Sequence, residues 1–293
     1  MVKFAAGVDV GGTKCLAVLL DEGGNVVSQA RIPTPHADVL ANSIVDLVQS
    51  LGAFESLGVG VPGLITSGGV VRSSPNMPSA IELPLREQLE ARLNKKVWVE
   101  NDATCGALGE WKHGAAAGSR DMWMVTLGTG IGGGLVSGGV LQRGTQGFAG
   151  EIGHMVVDPQ GPLCPCGKCG CWERYASGSG LAFLGGSDSG ETVITAAREG
   201  DSAALEVIDR FAYWVALGLA NLANITDPDT IVIGGGLSQA ADVIMSPIGE
   251  WFKKLLYAPE HRRHAALRVA RLGEQAGAIG AASLATLENT YGQ

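Results

Sequence analysis

The sequence predicts an α/β fold made of two related lobes. One pattern occurs twice, starting at Phe4 and again at Met122: a strand, a Gly/Thr turn, a second strand, a Gly-Gly turn and a third strand. The copies are weakly similar in residue identity but close in layout, which indicates duplicated lobes. Strand-like runs and helical spacing alternate after each copy, as in α/β proteins. A chain of 293 residues with 46 % hydrophobic residues can bury one large core or two smaller ones.

The lobe boundary is predicted at a small-residue joint, 114–118, which gives lobes of 1–115 and 116–276. In the first lobe the predicted strands are 4–10, 15–20, 26–32, 57–61 and 97–99, and the predicted helices are 38–51, 85–93 and 103–111. In the second lobe the predicted strands are 122–127, 135–136, 140–141, 230–233 and 267–272, with helices over 205–222 and from 238 onward. A closing helix over 277–291 is expected to pack back on the first lobe.

The first turn of the opening copy suits phosphate binding. Gly11 and Gly12 follow the first strand and leave backbone N–H groups at its end, with the Thr13 hydroxyl nearby. The Lys14 ammonium adds a positive charge, and Asp9 is placed to hold a magnesium ion through water. A plain hairpin turn with a solvated lysine explains these residues equally well. The turn is not a Walker loop, because lysine follows threonine.

Glycine clusters also follow two strands of the second lobe. Residues 128–133 match the G-x-G-x-x-G dinucleotide fingerprint, but that fingerprint must open a helix and a strand follows here, so we reject it. Three glycines at 234–236 let a phosphate or a flat ring approach the backbone, although a tight strand-to-helix turn uses them too.

Asp102 ends the predicted strand 97–99 through the tripeptide Glu100-Asn101-Asp102. Ligands in open α/β sheets bind at the carboxyl ends of strands, so Asp102 is a candidate catalytic residue. An isolated Asp at this position is more commonly a helix cap without a further role.

The segment 147–173 has the highest concentration of potential metal-binding and catalytic side chains in the chain. Glu151, His154 and Glu173 bracket four cysteines, at positions 164, 166, 169 and 171. Such close spacing favours a metal site over mutually strained disulfides.

Composition excludes several classes of protein. A net charge of −8, with a single short cluster of basic residues at 261–264, argues against a nucleic-acid-binding surface. No apolar run approaches the roughly 18 residues of a membrane span, and the N-terminus lacks the pattern of a signal peptide. We therefore expect a cytoplasmic enzyme that acts on small molecules.

Five motifs follow one another and cover nearly the whole chain. They are Asp9-x-Gly-Gly-Thr-Lys, Glu100-Asn-Asp, Gly128-Thr-Gly-x-Gly-Gly-Gly, Gly150-Glu-x-Gly-His and Cys164-x-Cys-Gly-x-x-Gly-Cys-x-Glu. In this order they resemble the ROK family (repressors, open reading frames and sugar kinases), most closely its bacterial glucokinases. The resemblance implies two actin-like, hexokinase-like lobes of the ribonuclease H-like type, with ATP and a sugar in the cleft between them.

The resemblance also implies a role for each motif. Asp102 would be the general base that takes the proton of the sugar 6-hydroxyl as it attacks the γ-phosphate. The residues implied to hold the sugar are Gly63, Asn76, Asn101, Asp102, Glu151, His154 and Glu173. The residues implied to hold ATP and its magnesium ion are Asp9, Gly11, Gly12, Thr13, Lys14, Thr129, Gly130, Gly132, Gly133, Gly235 and Gly236.

A structural zinc ion is implied as well. Its ligands would be His154, Cys164, Cys166 and Cys171, a four-ligand tetrahedral set. The second nitrogen of the imidazole would then be available to a sugar hydroxyl. From spacing alone, an all-cysteine site that includes Cys169 and leaves His154 to the sugar remains open.

The expected activity is ATP-dependent phosphorylation of a hexose at its 6-hydroxyl, with glucose as the leading substrate. Kinases of N-acetylmannosamine, fructose or another hexose are the alternative, and a polyphosphate donor is disfavoured by the cysteine cluster. A sugar-responsive repressor is disfavoured because Asp9 leaves no room for a preceding helix-turn-helix. A sugar-binding protein without catalysis conflicts with the two phosphate turns and Asp102. We expect a homodimer or homotetramer that binds neither nucleic acid nor membrane.

Overall fold

The computed structural model describes residues 3–74 and 77–287. The first part of the chain contains β1 (Ala5–Val10), β2 (Lys14–Leu20), β3 (Val26–Pro33), α1 (Leu40–Gln49), β4 (Ser56–Val61), β5 (Leu64–Ile65), β6 (Val71–Ser73), α2 (Leu85–Leu93), β7 (Lys96–Asn101) and α3 (Asp102–His113). The second part contains β8 (Met122–Leu127), β9 (Ile131–Ser137), β10 (Val140–Gln142), α4 (Glu173–Ala176), α5 (Gly178–Gly185), α6 (Gly190–Arg198), α7 (Ser202–Thr226), β11 (Thr230–Gly234), α8 (Ala241–Leu255), β12 (Ala266–Val269) and α9 (Ala276–Ser283). Short 3₁₀ turns lie at Ile152–His154, Gly236–Ala240, Pro259–His261, Gly273–Gln275 and Leu284–Leu287.

Two five-stranded sheets share one topology. The strand order is β3-β2-β1-β4-β7 in the first sheet and β10-β9-β8-β11-β12 in the second. In each sheet three successive strands pair antiparallel. Two later strands then extend the sheet in parallel on the other side of the opening strand. The shared order confirms the predicted α/β fold and its duplicated plan.

Burial follows the position of each strand in its sheet. Strand β11 lies between two parallel neighbours and is buried at every position, as expected where helices cover both faces of a sheet. Strand β3 is at the edge of the first sheet, and its residues alternate between exposed and partly buried, because one face meets solvent. Within the described part of the chain, no helix combines the length and the apolarity that crossing a membrane requires.

Helices α3 and α9 pack against each other between the two sheets. Gly280 of α9 lies so close to α3 that a Cβ atom there would be 1.7 Å from the Cys105 carbonyl oxygen. Helix α9 also packs on β1 at Gly7, and α3 packs on β9 at Gly134, with equally little room for a side chain. This contact places Asp102, the first residue of α3, between the two sheets.

The structure differs from the prediction at several places. The last strand ends at Val269 rather than 272, because the N–H groups of Arg271 and Leu272 donate to the buried Glu110 carboxylate instead of to a strand. The closing helix is α-helical over Ala276–Ser283 and 3₁₀ over Leu284–Leu287, and residues 288–291 of the predicted helix lie outside the described residues. Helices α4 to α6 were not predicted, since glycine and serine interrupt their apolar spacing. The lobe boundary at residue 115 stays a prediction.

Candidate active site

Asn101 and Asp102 form the junction between β7 and α3. The Asn101 side-chain oxygen accepts a hydrogen bond from the Thr104 N–H at 3.0 Å and so caps the helix. Its side-chain N–H₂ donates to the Gly63 carbonyl oxygen at 3.1 Å. The Asp102 carboxylate accepts from the Ala103 N–H at 2.9 Å. The capping geometry therefore holds the candidate base at the positive end of a helix.

Two carboxylates at this point have raised pKa values. Burial raises the pKa of the Asp102 carboxyl above its ordinary value, and the Ala103 N–H lowers it in part. Burial also raises the pKa of Asp9 from 3.8 to about 7; the charge of Asp102 adds to this, and Lys14 opposes it. Asp9 thus lies close enough to Asp102 for the two charges to repel, which is an arrangement that a divalent cation relieves.

Glu151, His154 and Glu173 gather near the same carboxylate. Burial raises the pKa of Glu151, and the imidazole of His154 opposes the shift. The charges of Asp102 and Glu173 raise the Glu151 pKa further, so these groups lie within electrostatic reach. One Glu173 carboxylate oxygen lies 3.6 Å from the His154 Nδ1. The structure therefore brings together six of the predicted sugar-binding residues, counting Asn101 and its hydrogen-bond partner Gly63.

The predicted zinc ligands also converge. One ligand atom from each of His154, Cys164, Cys166 and Cys171 lies within 4.8 Å of the others. The Cys166 and Cys171 sulfurs are 3.5 Å apart, and the Cys164 sulfur is 3.9 Å from the His154 Nδ1. These spacings match the edge of about 3.5–3.9 Å of a tetrahedron with zinc–sulfur bonds of about 2.3 Å. The donor set therefore fits a four-coordinate metal site.

Backbone hydrogen bonds shape the loop that carries these candidate metal ligands. The Gly167 N–H donates to the Cys164 carbonyl at 2.9 Å, and the Cys164 N–H donates to the Lys168 carbonyl at 2.8 Å, which forms a tight turn around the sulfurs. Cys169 is exposed and lies outside the group of converging ligands among the described residues. The geometry favours the ligand set with one histidine over the all-cysteine alternative.

A backbone hydrogen bond closes each of the two predicted phosphate turns. The Gly11 N–H donates to the Lys14 carbonyl at 2.9 Å, and the Gly128 N–H donates to the Gly130 carbonyl at 2.9 Å. The Lys14 ammonium lies 2.6 Å from a Glu274 carboxylate oxygen, so a phosphate would compete with an existing partner. The Thr129 carbonyl accepts from the Ser179 hydroxyl, which ties the second turn to α5.

Several predicted nucleotide-binding glycines have a packing reason. Gly132 and Gly133 lie inside β9 rather than in a loop. A Cβ atom at Gly132 would be 2.7 Å from the Ala103 Cβ, and one at Gly133 would be 2.4 Å from the Ile152 Cδ1. Gly235 has a φ of +80° and abuts the Leu127 backbone.

Other predicted residues are less constrained. No atom lies within 4 Å of a Cβ placed at Gly236, so the backbone is open to a ligand. Gly12 and Thr13 lie in the tight turn between β1 and β2. Gly63 has a φ of +116° and packs on the Ser73 carbonyl. Asn76 lies outside the described residues.

Sequence reasoning assigned no role to three charged residues beside the site, Glu100, Arg143 and Glu274. Glu100 is buried and paired with Arg143, and Glu274 binds both Lys14 and Arg31. A glutamate that directly follows the apolar residues of a predicted strand could have been recognised as a buried charge in need of a cation. No sequence signal identifies Arg143, because its partner lies 43 residues away.

Comparison with known proteins agrees with the motifs. A family model described as the ROK family matches residues 5–288. The glucokinase of Streptomyces coelicolor is 38 % identical, over 95 % of this chain and 96 % of that protein. The N-acetylmannosamine kinase of Salmonella typhi is 34 % identical, over 95 % of this chain and 97 % of that protein. A ROK family glucokinase from Streptomyces griseus, solved in complex with glucose and AMPPNP, has a TM-score of 0.85 and 36 % identity, over 96 % of this chain and 98 % of that chain. These matches confirm the resemblance and the actin-like, two-lobed fold that it implied.

Proposed function

The chain belongs to the ROK family, and we propose that it is an ATP-dependent glucokinase that transfers the γ-phosphoryl group to the 6-hydroxyl of glucose. The observation that supports this proposal is the convergence of polar groups around Glu151. Asp102, His154 and Glu173 all lie within electrostatic reach of its carboxylate. One buried carboxylate next to several hydroxyl-binding groups is the arrangement that proton removal from a sugar requires.

Asp102 acts as the general base. Its raised pKa makes it a better proton acceptor than an ordinary aspartate. Phosphoryl transfer needs little covalent help from the protein, so the position of this carboxylate is its main contribution. The Asn101 cap and the Ala103 N–H hold that position.

The sugar is read by hydrogen bonds to its hydroxyls. Asn101, Glu151 and Glu173 accept from hydroxyl groups, and His154 can donate through the ring nitrogen that faces away from Cys164. A hydroxyl with the wrong stereochemistry leaves one of these acceptors unpaired, at a cost of about 1–3 kcal/mol. This cost is the basis of discrimination between hexoses.

The two glycine turns hold the triphosphate of ATP. Their backbone N–H groups, together with the Thr13 and Thr129 hydroxyls and the Lys14 ammonium, are the donors for phosphate oxygens. Gly236, which has open space around it, leaves room for the adenosine, and Gly235 forms the turn that leads to it. Asp9 would hold Mg²⁺, which neutralises phosphate charge when bound.

Zinc would be held by His154, Cys164, Cys166 and Cys171. Its chemistry is structural, since four protein ligands leave no open position for substrate. By fixing the imidazole ring, the site orients the nitrogen that faces the sugar.

A substrate panel tests the proposal. The purified protein is assayed for ADP release with Mg-ATP and glucose, mannose, fructose or N-acetylmannosamine, and the product is identified by ³¹P NMR. We expect the highest kcat/KM with glucose, glucose 6-phosphate as the product, and no turnover when polyphosphate replaces ATP. Absence of glucose phosphorylation would refute the proposal.

N-acetylmannosamine kinase is the second candidate, because relatives with that name are 34 % identical over 97 % of their length. It predicts a higher kcat/KM for N-acetylmannosamine than for glucose in the same panel. Sedimentation equilibrium separately tests the expected homodimer or homotetramer, which a monomer at micromolar concentration would exclude.

A further inference from the structure

A buried ion pair joins the strand that ends in Asp102 to the edge of the second sheet. Glu100 lies in β7, and its side chain is 1 % exposed. The Nε–H of Arg143 donates to one oxygen of this carboxylate. Arg143 directly follows β10, the edge strand of the other sheet. The contact therefore spans the two halves of the molecule.

The second oxygen of Glu100 is bonded to the catalytic segment. It accepts from the backbone N–H of Asn101 at 2.9 Å. Asn101 in turn caps α3, whose first residue is Asp102. A carboxylate withdrawn from water needs a cation and hydrogen-bond donors, and Glu100 has one of each. The orientation of the Asn101 peptide thus depends on an arginine from the other sheet.

Arg143 also anchors the loop that leads to Glu151. Its carbonyl accepts from the Ala149 N–H at 3.1 Å, which closes the segment 143–149. This segment docks on the first half of the chain, where the Ser67 N–H donates to the Gln146 carbonyl at 3.2 Å. Arg143 is therefore bonded through its side chain to the base segment and through its main chain to the sugar-binding segment.

We propose that Arg143 is a positioning residue for phosphoryl transfer: through Glu100 it sets the position of Asn101 and Asp102 relative to the loop that carries Glu151. The inference rests on the proposed kinase activity. In this proposal the ion pair sets the distance between the Asp102 carboxylate and the bound sugar. A reaction that depends on positioning is most sensitive to this distance. Arg143 itself touches neither substrate nor the reacting atoms.

The test compares Arg143→Met, Glu100→Gln and the double variant with the wild-type enzyme. The pair borders a cavity of about 530 Å³, so a methionine at position 143 has room. We expect each single variant to lower kcat by about tenfold or more while the KM for ATP stays within about twofold. The kcat of the double variant should be no lower than that of the less active single variant, because the two residues act as a unit. Arg143→Lys, which keeps the charge, should recover part of the lost kcat.

Arg262→Met is the matched control, since Arg262 forms an ion pair with Asp227 at the C-terminal end of α7, a segment to which no site residue is assigned. Its kcat should equal that of the wild type. An unchanged kcat in Arg143→Met, or additive losses in the double variant, would overturn the proposal.

Amide hydrogen exchange gives a readout that does not require turnover. Arg143→Met should speed exchange both at 100–104 and at 146–151, whereas a local packing role would affect the second segment alone and would refute the inference. A wild-type protein without kinase activity would count against the proposed function, and the exchange result would still decide the role of Arg143.

Discussion

At the scale of single residues, Asp102 is subject to two opposing demands. Burial between the sheets raises its pKa, and the first N–H of α3 stabilises the ionised form. Both effects follow from its position at the strand-to-helix junction. Asn101, and not Asp102, supplies the oxygen that caps α3. Helix capping therefore does not explain the aspartate at position 102.

Asp102→Asn should lower kcat by about 10²- to 10⁴-fold, because an amide cannot accept the hydroxyl proton. Glucose affinity should stay within a few-fold, since the other hydroxyl-binding residues are unchanged. A coupled assay and isothermal titration calorimetry measure the two quantities. Asp188→Asn, at an exposed position, serves as the control. Unchanged turnover in Asp102→Asn would contradict the assignment of the base.

Asp9 should make stability depend on pH. Its folded-state pKa is about 7 against 3.8 for the free side chain, so the folded state binds more protons between these values. Stability therefore falls as the pH rises through this window, and the loss is complete above about pH 7. Asp9→Asn should remove the penalty and increase the free energy of unfolding more at pH 8 than at pH 5, by about 2–3 kcal/mol.

Urea unfolding in the presence of a chelator, without nucleotide, measures this difference. Asp38→Asn, at an exposed position, should have the same effect at both pH values. An equal effect of Asp9→Asn at pH 5 and pH 8 would show that Asp9 is not held at a raised pKa.

At the scale of elements, two helical glycines illustrate the packing of α9. Gly280→Ala should destabilise the protein by about 1–3 kcal/mol or more, because its Cβ would be 1.7 Å from the Cys105 carbonyl oxygen of α3. Gly249→Ala lies in helix α8 with no atom within 4 Å of the new Cβ, and should stabilise by about 0.5–1 kcal/mol. Chemical denaturation distinguishes the two; loss of stability in both variants would mean that the helix contact is not the cause.

The loop that carries the candidate zinc ligands is the second element that can be tested. Cys164→Ser should abolish zinc binding and weaken sugar affinity by about 10- to 100-fold, because His154 and Glu173 lose their fixed positions. Cys169→Ser should keep about one zinc per chain, since this thiol lies outside the converging ligands. Metal analysis and sugar titration measure both effects. Zinc loss in Cys169→Ser, with retention in Cys164→Ser, would reverse the ligand assignment.

At the scale of the whole molecule, one buried carboxylate accepts hydrogen bonds from both segments in which the chain passes between the two sheets. Glu110, which is fully buried in α3, accepts from the Ala115 N–H at 2.6 Å on the connection to β8. It also accepts from the N–H groups of Arg271 and Leu272, at 2.8 and 2.7 Å, on the connection from β12 to α9. The two crossings therefore meet at a single side chain.

Glu110→Gln should reduce the free energy of unfolding by about 1–3 kcal/mol for each backbone N–H left without an acceptor. The reason is that the amide N–H₂ of glutamine would face a backbone donor. Glu250→Gln, at an exposed position, should change stability by less than about 0.5 kcal/mol. Guanidinium denaturation compares the variants, and equal stability would show that these donors find other acceptors.

Much of the site could be predicted from the chain because its residues lie in contiguous motifs. The strand-turn-strand pattern located both glycine turns, and the tripeptide at 100–102 located the helix cap and the candidate base. The spacing of His154 and the cysteines indicated a metal site but did not choose among the cysteines. That choice depends on how the loop folds back on itself, which hydrogen bonds between non-adjacent residues determine.

The sequence by itself determined most strands of the two sheets, the duplicated plan and the family, because these depend on local periodicity and on short ordered motifs. Tertiary structure decided which groups meet across the two sheets. It pairs Glu100 with Arg143, places Gly132 and Gly133 against α3 and the 3₁₀ turn rather than in a loop, and joins both connections at Glu110. The physical reason is that a buried charge pairs with whichever residue the fold brings near it, and a close backbone contact forms in the same way. The partner is distant in the sequence, so the sequence alone does not identify it.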